Sequence, residues 1–324
     1  MRPTAQSAVA LGGGHGLHAS LSALRRLHDD LTLDQVTAVV TVADNGGSSG
    51  RLRGEFGVLP PGDLWMALAA LCGADDWGRT WADVVQHRFA GEGEMNGHVI
   101  GNLLIVGLWE RLGDPVEALD WVGRLLGAHG RVLPMSLTPM DITARVRGTD
   151  PTDPAVVSTV RGQVEVATTG GEIVSVALDP DDPVACPEAV TAILEADWVV
   201  LGPGSWFTSV IPHLMLPSLR DALERTSARL VVVLNLEPQD GETGGFGPGD
   251  HLAVLLDHAP GLRIHTVLAE RTTVTDSEGL EAAVREAGGV LVTADLAELD
   301  EAGRVTPRHD HERLAAAYRD IFEA

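Results

Sequence analysis

The stretch that decides the fold is Ser7-Ala8-Val9-Ala10-Leu11-Gly12-Gly13-Gly14-His15-Gly16-Leu17. Its first five residues form a short apolar run that is typical of a buried strand, and glycines follow at once. Leucines then recur at helical spacing, at positions 17, 21, 24 and 27. The order of strand, glycine turn and helix is the opening unit of a doubly wound α/β fold.

The glycine turn also carries a binding pattern. Residues 14–19 match G-x-G-x-x-A, in which glycines allow a tight turn and let backbone N–H groups approach a phosphate. The pattern makes four residues candidates for ligand binding: Gly13, Gly14, His15 and Gly16. The same turn could serve only to pack the strand against the helix. His15 and His18 could instead be metal ligands, but no third ligand lies nearby in the sequence, so we interpret them as facing the ligand or solvent.

Strands and helices alternate along most of the chain. Apolar patterns predict strands at 36–42, 198–201, 230–234, 261–269 and 289–293, and helices at 63–72, 80–89, 101–111 and 115–126. Between 131 and 178, alternation at 142–146 and 164–166 and a Gly170-Gly171 hairpin turn predict antiparallel strands. We therefore predict an α/β fold with a Rossmann-like, doubly wound, mostly parallel sheet, helices on both faces and a small antiparallel β insertion in the middle. The predicted organisation is one domain over 1–324, with α/β halves at 1–130 and 191–324 and the antiparallel segment at 131–190.

Composition excludes several classes of function. The 324 residues carry 46 acidic and 23 basic side chains, and every basic residue is arginine, which excludes a P-loop or Schiff-base lysine. A net charge of −23 argues against a nucleic-acid-binding surface and against docking on anionic lipid. Two distant cysteines, no targeting segment and no apolar stretch of membrane length predict a cytoplasmic protein without membrane insertion.

A second polar loop follows the strand at 36–42. Asp44 stands where dinucleotide-binding folds place an acidic residue for the ribose hydroxyls. The loop adds further candidates for ligand binding: Asn45, Ser48, Ser49 and Arg51. Residues 46–50 also match the G-x-S-x-G nucleophile elbow, but residues 51–57 read as a poor helix, which argues against a serine hydrolase.

Later strand ends contribute more candidates. Gly202-Pro203-Gly204-Ser205 follows a strand, and two such glycine loops in one sheet suggest a ligand that spans the switch point, such as a nucleotide diphosphate bearing a second group. Asn235 and Thr243 lie past another strand end. Phe246 is the aromatic candidate to stack on a base, although an aromatic side chain in such a position packs against the core at least as often. Asp63 stands where a helix N-cap is expected. We predict no metal site; if a cation binds, Asp44 and Asp63 are the candidate ligands.

The motifs taken together resemble one family. They are, in chain order, residues 12–17, residues 40–53, Pro60-Pro61-Gly62-Asp63, Gln86-His87-Arg88-Phe89, residues 97–102, residues 202–205, Gly241-Glu242-Thr243 and Arg308-His309-Asp310. They resemble the YvcK family of gluconeogenesis factors, within the 2-phospho-L-lactate transferase (CofD-like) superfamily. The chain departs from the usual pattern at four positions, His15, Asn45, Trp65 and Met66.

The resemblance implies a function and a set of partners. It implies a cytoplasmic bacterial regulator linked to carbon metabolism, cell shape and cell-wall synthesis, which binds a UDP-sugar such as UDP-N-acetylglucosamine and has no established catalytic reaction. It also implies a homodimer and, as possible partners, cell-wall or metabolic enzymes. Phe246 matches an aromatic residue near the nucleotide, and Arg308 matches an arginine that engages the UDP-sugar.

Two further hypotheses stay open. The first is a Mg²⁺-dependent transferase of the CofD type, which moves a phosphate-linked acid from a nucleotide diphosphate onto a flavin-like hydroxyl, with Mg²⁺ on Asp44 and Asp63. Asn45 argues against it, because the family usually has a second aspartate there. The second is an NAD-linked dehydrogenase, for which the sequence offers no evident acid–base pair.

Overall fold

A computed structural model of the protein describes residues 6–150, 152–239, 241–272, 274 and 277–324. The central sheet contains seven of the described strands. In chain order the strands are β1 Ser7–Gly12, β2 Gln35–Val40, β3 Arg131–Pro134, β4 Asp141–Arg147, β5 Val157–Arg161, β6 Glu172–Asp179, β7 Trp198–Leu201, β8 Arg229–Val233, β9 Thr266–Glu270, β10 Val290–Ala294, β11 Ala297–Leu299 and β12 Val305–His309.

The central sheet has the order β10-β9-β8-β7-β1-β2-β3, and every neighbouring pair is parallel. The chain builds the sheet outward from β1 toward β3 and then from β7 toward β10, so the direction of winding reverses between β1 and β7. Ligands of such sheets bind beyond the carboxyl ends of the strands at this switch point. The two predicted glycine loops follow β1 and β7, the strands that flank this switch point.

Helices surround the sheet. They are α1 Gly14–Asp29, α2 Gly47–Phe56, α3 Gly62–Ala70, α4 Asp76–Gln86, α5 Ile100–Leu112, α6 Pro115–Leu126, α7 Gln163–Ala167, α8 Pro187–Glu195, a π-helix Trp206–Val210, α9 Ile211–Met215, α10 Pro217–Arg225, α11 Pro248–His258, α12 Ser277–Glu286 and α13 His311–Glu323. The four periodic leucines of α1 are all buried, as their spacing predicts. Within the described ranges, the helices are too short or too polar to cross a bilayer.

The predicted fold class is confirmed: a mostly parallel sheet with helices around it carries a small antiparallel insertion. The insertion is the sheet β5-β4-β6, and it begins later than the predicted boundary at 131. Residues 131–134 instead pair parallel with β2 at the edge of the central sheet. A four-residue apolar strand carries no sequence signal of which sheet it joins, and this explains the error.

Two local predictions were wrong. Residues 164–166 lie in α7, so Gly170-Gly171 connects a helix to β6 and is not a hairpin turn between strands. Residues 51–56 belong to α2, which ends at Gly57 in the left-handed conformation. A buried Leu52 and this glycine C-cap outweigh the poor intrinsic helix propensity of the segment. The strand, turn and helix context of a nucleophile elbow is therefore present after β2.

Candidate functional site

The two glycine loops at the switch point touch each other. A Cβ atom added to Gly16 would lie 2.2 Å from the carbonyl oxygen of Pro203 and 2.7 Å from the Cα of Gly204. A Cβ atom on Gly13 would lie 2.4 Å from Thr41 Cγ2 and 2.6 Å from Asp63 Oδ2. Packing therefore requires glycine at both positions, as expected if the turn serves to pack the strand against the helix. The close packing also brings the first turn of α1 beside the second loop.

An asparagine holds the second loop in place. The Gly204 N–H donates to Asn235 Oδ1 at 2.9 Å, and Asn235 Nδ2 donates to the Gly204 carbonyl at 2.8 Å. Gly202 and Gly204 both have positive φ, which favours glycine. Asn235 thus fixes the backbone of this loop at the carboxyl end of β7, and its side chain also lines the cleft.

Three adjoining cavities lie over the switch point. The main cleft, of about 570 Å³, is bounded by α1, the Gly204 loop, residues 235–239 and the β12–α13 junction. The side cavity, of about 420 Å³, shares His15, Gly16, Gly204 and Gln239 with the main cleft. The apolar pocket, of about 290 Å³, shares residues 235–238 with it. The three cavities therefore adjoin one another, and together they offer room for a ligand with several groups.

Two carboxylates form one wall of the side cavity. Asp63 does not cap a helix: it lies within the first turn of α3 and accepts the Gly14 N–H, while its buried Oδ2 has no hydrogen-bond partner among the described residues. Burial and then the negative charge of Asp44 raise the pKa of Asp63 to about 7. Burial also raises the pKa of Asp44, although hydrogen bonds from the Gly46 N–H (2.8 Å) and from Ser49 act to lower it.

Two candidates of the β2–α2 loop bind other parts of the protein. Asn45 donates from Nδ2 to Glu165 at 2.8 Å and accepts the Val164 N–H at 3.1 Å, so it anchors α7. Arg51 donates to the carbonyl oxygens of Glu94 (3.1 Å) and Asn96 (2.7 Å) and lies outside the three cavities. The departure at Asn45 therefore affects how the insertion is attached.

The two serines of this loop are buried. Ser48 accepts a hydrogen bond from Asn102 at 3.1 Å and lies 3.0 Å from His98 Nδ1, with both Ser48 and His98 less than a tenth exposed. Ser49 accepts the Gly62 N–H at 2.9 Å. Neither serine lines any of the three cavities, so Ser48 is not placed as a nucleophile toward a ligand bound there, despite the strand, turn and helix around it.

The candidates after β8 separate into two groups. Thr243 is fully buried and accepts the Gln239 N–H at 2.9 Å, which makes it a support for the cleft wall. Phe246 is half-buried and lines the apolar pocket beside His251, with ring centroids 5.4 Å apart. Ser205 lines the side cavity, and its hydroxyl accepts Gln239 Nε2 at 3.4 Å.

Arg308 is exposed and lines the main cleft. The same cleft contains four histidines: His15, His18, His309 and His311. In the sequence, no third candidate metal ligand lies near His15 and His18. The fold brings the His309 and His311 region there, although no group of three side chains with metal-binding geometry occurs in the part of the chain that the structure describes. The signal that was missed is the histidine on each side of Asp310.

Comparison with known proteins identifies the class. A family profile described as 2-phospho-L-lactate transferase CofD matches residues 8–310. A solved structure of a UPF0052 family protein from Bacillus halodurans superimposes with a TM-score of 0.82 and 30% identity, over 97% of this chain and 99% of that one. The chain belongs to the CofD family.

Within that family the relatives are gluconeogenesis factors. A Mycobacterium tuberculosis protein named "Putative gluconeogenesis factor" is 53% identical over 308 residues, which are 95% of this chain and 88% of the relative. The "Gluconeogenesis factor" of Listeria monocytogenes is 36% identical over 273 residues, 84% of this chain and 80% of the relative. The resemblance to the YvcK family that the motifs indicated is confirmed.

Proposed function

We propose that this protein binds a nucleotide sugar, such as UDP-N-acetylglucosamine, across the switch point and acts as a non-catalytic regulator. The observation that carries the proposal is the contact between the two glycine loops, which places the first turn of α1 beside Gly204 at one cleft. Unpaired N–H groups at a helix N-terminus favour phosphate. The diphosphate is assigned to this point, next to Arg308.

The cavities on either side suit the two ends of such a ligand. The apolar pocket beside Phe246 has a volume and lining that suit a pyrimidine base. The side cavity is lined by amides, hydroxyls and carboxylates, groups that hydrogen-bond to a sugar. Roles in cell shape and cell-wall synthesis, homodimer formation and a cytoplasmic location are part of this proposal through the resemblance to the YvcK family.

Calorimetric titration with UDP-N-acetylglucosamine in EDTA tests the proposal. Wild type is expected to bind, and Arg308→Ala is expected to weaken binding by about 1–3 kcal/mol if a charged hydrogen bond is lost. Arg304→Ala is the matched control, because Arg304 lies on the same hairpin, is 80% exposed and pairs with Asp300 outside the cleft. Equal affinities of the two variants would contradict the assignment of Arg308.

A second candidate, a Mg²⁺-dependent transferase of the CofD type, is favoured by Asp44 and Asp63. Their carboxylates line the side cavity next to the proposed diphosphate position, and the unpartnered Oδ2 of Asp63 fits a cation ligand. Two carboxylates do not complete a coordination sphere, so phosphate oxygens would have to supply further ligands. Nucleotide affinity that disappears in EDTA and returns with Mg²⁺ would support this candidate over the first.

A further inference from the structure

Histidines form one end of the main cleft. His15 and His18 lie one turn apart on α1, so they share a face of that helix. His309 ends β12 and His311 begins α13, and both line the same cleft. Arg308 precedes His309 on β12 and also lines this cleft. The cluster of His15, His18 and His311, with Arg308, is called the histidine cluster below.

Charged groups face this cluster from each element around it. Glu237, from the loop after β8, and Glu298, from β11, line the same cleft. Asp310 is committed to capping α13, because its carboxylate accepts the N–H groups of Glu312 and Arg313 at 2.8 and 3.0 Å. The carboxylates of Glu237 and Glu298 disfavour an anion in the cleft, so the cationic groups there must offset them.

His18 is harder to protonate than a free histidine. Burial lowers the pKa of His18, and so do the neighbouring imidazoles of His15 and His311. His309 stays neutral at physiological pH, because burial lowers its pKa to about 4. A hydrogen bond to the Leu234 carbonyl and the charge of Glu270 act in the opposite direction, but they are smaller effects. An anion placed beside His18 would offset the repulsion from its neighbours and raise its pKa.

We infer that the histidine cluster is a proton-coupled binding site for the phosphates of the nucleotide diphosphate, so that ligand affinity rises as pH falls from 8 to 6. The inference rests on the proposed function. It adds His18 and His311 to the phosphate site, and it makes the binding of the nucleotide sensitive to pH. Because linkage is reciprocal, each proton taken up on binding raises affinity up to about tenfold per pH unit.

Titration calorimetry with UDP-N-acetylglucosamine at pH 6, 7 and 8 tests the inference. Each phosphate of a UDP-sugar keeps one negative charge over this range, so any proton uptake belongs to the protein. Repeating the pH 7 titration in two buffers of different ionisation enthalpy, neither containing phosphate, measures the protons taken up. We expect net uptake and an affinity at least about fivefold higher at pH 6 than at pH 8.

Two variants and one control locate the effect. His18→Gln and His311→Gln are expected to reduce both the proton uptake and the rise in affinity; His311 is exposed, so its replacement does not disturb the core. His87→Gln, at the exposed end of α4, is expected to behave as wild type. UDP-sugar binding that is independent of pH, or pH dependence unchanged in both variants, overturns the inference and leaves the proposed function standing. No binding at any pH overturns both.

Discussion

Replacing Gly16 by alanine should open the switch point. The new Cβ atom would lie 2.2 Å from the Pro203 carbonyl oxygen, where ordinary contacts begin near 3.4 Å, so α1 and the second glycine loop must separate by about 1 Å. All three of the nearest atoms belong to backbone, so no side chain can rotate away. Overpacking of this kind costs about 1–3 kcal/mol, more than the at most about 1 kcal/mol that alanine gains in a helix.

Gly107→Ala is the matched control for this substitution. Gly107 is an exposed residue inside α5, and nothing lies within 4 Å of its added Cβ, so alanine there should stabilise the protein by up to about 1 kcal/mol. Denaturant unfolding monitored by tryptophan fluorescence measures both free energies. Gly16→Ala should also bind UDP-N-acetylglucosamine more weakly. A Gly16→Ala protein as stable as Gly107→Ala would refute the close contact between the two loops.

Three further substitutions probe buried polar groups. In the folded protein the pKa of Asp63 is about 7, above its ordinary 3.8, so this group destabilises the fold progressively as pH rises from about 4 to 7. The stability of Asp63→Asn relative to wild type should therefore rise by on the order of a few kcal/mol between pH 4 and 8. Unfolding curves with no such change would contradict the pKa shift. Glu242→Gln disturbs a buried carboxylate that accepts the Thr208 hydroxyl at 2.6 Å, and chemical denaturation should show a loss of about 1–3 kcal/mol; an unchanged midpoint would argue against that bond. Tyr318→Phe removes the 2.8 Å hydrogen bond to Ser20 between α13 and α1, with an expected loss of about 0.5–1.5 kcal/mol in the same assay, and a more stable variant would count against this role.

The sequence predicts those parts of the site whose signal is local. A strand followed by a glycine turn and a periodic helix predicts β1 and α1, and a strand followed by Gly-Pro-Gly-Ser predicts the second loop. Parallel sheets bring such loops together at the switch point, so the location of the site follows from topology alone. The cavities at this point contain most of the glycine-loop candidates, together with Asp44, Asn235, Phe246 and Arg308.

The partners of individual side chains could not be predicted. The amide of Asn45 and its place in a polar loop suggest a ligand-binding residue, yet its side chain donates to Glu165, 120 positions away. Ser48 and Ser49 likewise satisfy buried groups of α5 and α3. Such pairings depend on how distant elements pack, which a short motif does not record. His311 was missed for the same reason, because its neighbours on α1 lie almost the whole chain away.

A crystal structure of the protein with UDP-N-acetylglucosamine tests the central claim most directly. We expect the diphosphate within hydrogen-bond distance of the backbone N–H groups of His15 or Gly16, with Arg308 at the phosphates and the uracil ring beside Phe246. Density for the ligand on another surface, such as the turn at 97–102, would contradict the assignment of the switch point as the nucleotide-sugar site.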